Sequence, residues 1–77
     1  MSFRIVWHPG AERQLAALGW HPSESVDAAV IRFALTGRGD VEWIAPYFRL
    51  GVGVYRVRFT IDRETRTMNV LLVYRTR

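Results

Sequence analysis

Two long alternating stretches separated by a turn occupy the last third of the chain, and they restrict the folds open to it. From Val54 to Ile61 the apolar residues Tyr55, Val57, Phe59 and Ile61 alternate with Arg56, Arg58 and Thr60. Successive residues of a strand point to opposite faces, so this stretch has one apolar row and one polar row. The second stretch, Arg66 to Arg75, places Met68, Val70, Leu72 and Tyr74 on one face and Thr67, Asn69, Leu71, Val73 and Arg75 on the other. With Asp62 to Thr65 as the turn, Phe59 falls opposite Met68, Val57 opposite Val70 and Tyr55 opposite Leu72. A slip of one residue would set Phe59 against Asn69, so the alternation itself selects the register. One face of this hairpin requires a covering layer, and the other displays arginine.

Upstream segments supply that layer. Ser2 to Trp7 alternates and reads as an opening strand, broken by His8-Pro9-Gly10. From Pro9 to Leu18, Ala11, Leu15 and Leu18 fall on one helical stripe, and Gly19 stops it. Trp20-His21-Pro22 reads as a connector and Ser23 as the N-cap of a second helix, with Glu24 and Asp27 favouring its positive end. Val26, Ala29, Val30, Phe33 and Ala34 repeat at helical spacing as far as Thr36, before Gly37. Arg38 to Ala45 lacks a period and reads as a loop. Pro46 to Leu50 forms another short strand, and Gly51-Val52-Gly53 turns it into the hairpin. The order β-α-α-β-β-β implies an α+β fold, a two-layer sandwich in which an antiparallel four-stranded sheet carries two helices on one face. Its 77 residues suit a single domain spanning residues 1–77.

Composition narrows the function. Hydrophobic residues at 49% argue against disorder, and the absence of cysteine excludes disulfides and thiolate metal sites. No metal-ligand spacing, carboxylate pair, nucleophile elbow or phosphate loop is present, so no cofactor and no metal is expected. His8 and His21 adjoin prolines at helix edges and read as connector residues. No apolar run approaches the length of a membrane span, and we expect a cytoplasmic protein with no membrane partner. All eleven basic residues are arginine against seven acidic ones, a net charge of +4. Such a balance points to nucleic acid or an acidic protein partner.

In this reading Arg4, Tyr47, Arg49, Arg56, Arg58, Asn69 and Arg75 face away from the helices. Five arginines interleaved with a tyrosine suit phosphate tracking with a stacking ring, against the plainer reading of a solvated polar face. Leu71 and Val73 fall on the same side, where apolar residues call for cover by a partner segment or by arginine stems.

The run Tyr47-Phe48-Arg49-Leu50-Gly51-Val52-Gly53-Val54-Tyr55-Arg56-Val57-Arg58-Phe59-Thr60-Ile61-Asp62, followed by Val70-Leu71-Leu72-Val73-Tyr74-Arg75, resembles the C-terminal half of RelE/ParE superfamily toxins of bacterial toxin-antitoxin systems. The resemblance is close over about half the chain and extends to the rest in order and pattern. It implies a RelE-like sandwich and the toxin of a type II pair, one that inhibits translation by ribosome-dependent mRNA cleavage. In that chemistry a 2′-hydroxyl attacks the adjacent phosphate, which calls for a base, cations and an acid. Arg56 matches the family arginine for the scissile phosphate, Arg49 a basic position one strand earlier, and Arg75 or Arg77 the basic residue after the last strand. Arg4, Tyr47, Arg58 and Arg77 would then bind RNA. Implied partners are a cognate antitoxin, the ribosome and mRNA. RNA-cleaving relatives commonly place a tyrosine or histidine after the last strand, whereas alternation turns Tyr74 here toward the helices. That departure favours the alternative of a ParE-like, non-nuclease inhibitor of DNA gyrase, or an inactive basic binding module.

Overall fold

The computed structural model describes residues 2–76. Along the chain run β1 (Arg4–Trp7), α1 (Pro9–Ala17), α2 (Trp20–Thr36), β2 (Asp40–Ile44), β3 (Tyr47–Val52), β4 (Tyr55–Asp62) and β5 (Thr67–Arg75). The strands form one five-stranded sheet in the order β1-β5-β4-β3-β2. Four of them make an antiparallel meander, and β1 joins its last member in parallel, Ile5 beside Met68 and Trp7 beside Val70. The expected four-stranded antiparallel sheet is therefore a five-stranded mixed one.

The additional strand is β2, where the sequence reads as a loop. Asp40, Glu42 and the preceding glycines are poor strand formers, and an edge strand exposed along most of its length needs little apolar alternation. Helix α2 also begins earlier than expected. It is entered from Gly19 and takes in Trp20-His21-Pro22, because proline is tolerated in a first turn whose amides have no partner. Ser23 thus lies inside the helix and donates its hydroxyl to the Trp20 carbonyl, 2.9 Å away, and the first turn holds no acidic residue. His8 caps α1 through its side chain, which accepts from the Gly10 amide at 3.1 Å. At the other end of α2, Gly37 takes a left-handed conformation that suits glycine.

Both helices cover one side of the sheet. Ala11 from α1 and Val26, Val30 and Ala34 from α2 are buried against Leu50, Val57, Phe59, Met68, Val70 and Val73. Phe59 sits at the centre of this core. Its ring meets Phe33 of α2 at 5.0 Å and stacks on Phe48 of β3 at 5.3 Å.

The β4–β5 hairpin departs from expectation twice. Its turn lies one residue later, so that Asp62 pairs with Thr67 and Phe59 with Val70 rather than Met68. That displacement moves partners by two and preserves the faces. Asp62 Oδ1 accepts from the Glu64 and Thr65 amides, and Arg66 closes the turn at φ 52°. The register then shifts again between Phe59 and Arg58, leaving Leu71 as an extra residue on β5, a β-bulge. Beyond it every side chain changes face. Val73, expected on the open side, is 3% exposed in the core opposite Val57, while Leu72 and Tyr74 turn to the open side opposite Arg58 and Arg56. Gln14 of α1 accepts from the Val73 amide at 2.8 Å and helps hold the bulged segment.

Two measurements check this hairpin. Deleting Leu71 should remove the bulge yet keep Val73 inward and Tyr74 outward, because Val70, Leu72, Val73 and Tyr74 then alternate without a break, so urea unfolding should find a change of no more than about 1 kcal/mol. Arg66→Gly should stabilise by about 1 kcal/mol, because glycine takes the left-handed conformation without a Cβ penalty.

Candidate anion-binding face

The side of the sheet away from the helices is built from cross-strand rows. One runs Asp40–Gly51–Arg56–Tyr74 from β2 to β5, and the next runs Glu42–Arg49–Arg58–Leu72. Residues opposite one another share a face, so these rows place Arg49, Arg56 and Arg58 together with Tyr74. Tyr47, two residues before Arg49, is on the same side.

Arg49 and Arg58 stand directly opposite each other, an arrangement that repels unless each cation finds separate compensation. Arg49 donates from Nη2 to Glu42 Oε1 at 2.9 Å. Arg58 lies over the Tyr47 ring with its guanidinium carbon 3.9 Å from the centroid, a cation–π contact. The Nε atoms of both arginines are buried, and neither has a hydrogen-bond partner among the described residues. Buried donors in that condition call for an acceptor, so two of them side by side suit an anion.

Arg56 is held by its own hairpin. Its Nη1 donates to the carbonyls of Gly53 and Tyr55, each at 2.8 Å. Gly53, at φ 59°, shapes the tight turn that points those carbonyls at the guanidinium. These are bonds to neutral carbonyls, and they fix the side chain without cancelling its charge.

Hydrogen bonding to Arg49, and then its charge, hold the Glu42 carboxyl below the ordinary glutamate range, with a weaker pull from Arg56. Glu42 in turn, followed by the nearby Tyr74 phenol, holds Arg49 above its ordinary value. Burial opposes both shifts.

Not every expected residue joins this face. Arg75 pairs with Tyr55, on the side that carries Val57 and Phe59, because the bulge has reversed its orientation. Its expected place beside Arg49 and Arg56 is thereby overturned. Arg4 is on the open side but at the far end, opposite Thr67, whose hydroxyl accepts from its Nη2 at 3.3 Å. Arg77 lies outside the described residues. Conversely, Tyr74 was missed. Strict alternation points it inward, and only the bulge brings it out. Leu71, which alternation leaves on the open side, is 38% exposed at the bulge itself.

Among the described residues no three histidine, cysteine, aspartate or glutamate side chains cluster as metal ligands, and no helix is long and apolar enough to cross a membrane. Since Glu42 titrates low in the folded chain, its pair with Arg49 contributes fully above the ordinary glutamate pKa and is lost as pH falls through the depressed value. A carboxyl-carbon NMR titration should find Glu42 below the ordinary range and find it moved back up by Arg49→Ala.

No protein-family model matches the sequence, and neither does any curated protein. Solved structures do match. The archaeal RelE–RelB complex from Pyrococcus horikoshii OT3 superposes with a TM-score of 0.79 at 17% identity, over 97% of this chain and 96% of that one. The toxin-antitoxin complex RelBE2 from Mycobacterium tuberculosis gives 0.72 at 25% identity, over 97% and 92%. The intact RelBE toxin-antitoxin complex of E. coli gives 0.69 at 15% identity, over 99% of both chains.

Proposed function

From the RelE-like toxin fold that these neighbours share with the chain, we propose that the protein is the toxin of a toxin-antitoxin pair and acts on translation by cleaving mRNA. The observation that carries this is the gathering of Arg49, Arg56, Arg58, Tyr47 and Tyr74 on the side of the sheet that the helices leave open. Cleavage by an attacking 2′-hydroxyl builds negative charge on a phosphorane. A rigidly held guanidinium stabilises that charge without reorganising, and the backbone-anchored Arg56 is suited to the scissile phosphate. Arg49 supplies a second cation. Arginine surrenders protons reluctantly, so proton transfer falls to another group, and the Tyr74 phenol beside Arg49 is the candidate. Tyr47, with Arg58 on one face, offers a platform for a base.

A ParE-like contact with gyrase gains its support from a chain lacking a phenol or imidazole beside these arginines. Tyr74 supplies the phenol and favours cleavage.

The neighbours were solved as complexes with RelB, which supports a cognate antitoxin for this chain too. An acidic or amphipathic segment would complement the arginine face, ordering as it binds. The protein should copurify with a small acidic partner encoded beside it, and a toxic monomer that is stable alone would count against this.

Incubation with mRNA on translating ribosomes tests the reaction. Wild type should cleave, Arg56→Ala should lose about 10²–10³-fold, and Tyr74→Phe should lose at least about 10²-fold. No cleavage by wild type, or undiminished cleavage by Arg56→Ala, removes the proposal.

A further inference from the structure

We propose that the edge strand β2 carries an internal competitor for the arginine face: Glu42, flanked by Asp40, occupies Arg49 in the unliganded protein and sets how strongly the face holds phosphate. This rests on reading the face as a phosphate-binding surface. What it adds is a residue that tunes the site without belonging to its cationic machinery.

The alternation of β2 puts Val41 and Trp43 on the helix side and Asp40 and Glu42 on the open side. Both carboxylates therefore enter the two rows that contain the arginines. Glu42 engages Arg49 directly at 2.9 Å. Asp40 leans in the same direction over Gly51. A Cβ at position 51 would lie 2.7 Å from Asp40 Oδ2 and 3.5 Å from Arg56 Nη1, so the glycine leaves a notch between the carboxylate and the second arginine. Two of the chain's seven acidic residues thus border its basic surface.

Charges on an edge strand also discourage edge-to-edge aggregation, and that is the plain explanation for acids here. It does not account for their placement. Edge protection is served by either sign of charge and asks for no bond to Arg49.

The pair is built to exchange. Its side chains are 32% and 63% exposed, and exposed ion pairs are weak. Glu42 takes only Nη2 of the guanidinium, leaving the neighbouring Nε without an acceptor. A phosphate approaching side-on can use both donors once Glu42 swings aside, and it carries more charge than a carboxylate. The competitor thereby raises the concentration at which any anion fills the site by one common factor, because each must displace an acid already in place.

Titration of wild type, Glu42→Gln and Glu64→Gln tests this. Glu64, in the β4–β5 turn, makes the same change in net charge without touching Arg49. The probes are inorganic pyrophosphate, followed by NMR at the Arg49 Nε–H, and a short single-stranded RNA, followed by fluorescence anisotropy, both at about 0.1 M salt. Glu42→Gln should tighten half-saturation about two- to fivefold, with Glu64→Gln nearly unchanged. Equal effects of the two variants, weaker binding by Glu42→Gln, or no pyrophosphate response at Arg49 would each overturn the competitor. If Glu42→Gln strengthens pyrophosphate binding while no variant binds RNA, the competitor stands and the RNA reading falls.

Discussion

A single extra residue in β5 governs both sides of the sheet. The bulge at Leu71 sits where the strand passes from its pairing with β1 to the stretch covered by α1. Before it, Met68 and Val70 fill the core. After it, the inward positions shift by one, so that Val73 completes the apolar row with Val57 and Leu50. The same shift carries Tyr74 to the arginines. Core packing and the chemistry of the open face are consequently set by one backbone irregularity, and neither can be altered there without the other.

The open face is an exercise in tolerating like charge. Arg49 and Arg58 confront each other across β3 and β4, and each is compensated by a different means, a carboxylate for one and an aromatic ring for the other. Arg56 is steadied by carbonyls. These are partial compensations: two buried Nε donors go without a partner among the described residues. A surface serving only solubility gains nothing by holding its cations in register. One that receives a polyanion gains orientation, since the cations are fixed before the ligand arrives.

Much of this was legible in advance. The apolar stripe of α2, the inward row Val57 and Phe59, and the outward Arg49, Arg56 and Arg58 all follow from period alone, because packing against a single layer enforces one face per strand or helix. Edges were less legible. Residues Asp40–Ile44 form a strand by borrowing the hydrogen-bonding edge of β3, a contribution from a neighbour that leaves little trace in local composition. The start of α2 was hidden for a related reason, as Pro22 marks a break only in a helix interior and here lies in the first turn.

The amino-acid sequence by itself determined two layers, a basic sheet face and the positions of three of its arginines, since alternation is a local property that any strand obeys. Which residues near the end of β5 face that surface was decided only in three dimensions. A bulge arises from how two strands are fitted over a core that must be filled, with Val73 meeting Val57 and its amide meeting Gln14. Those contacts join residues far apart in the chain. For that reason Arg75 leaves the site and Tyr74 enters it.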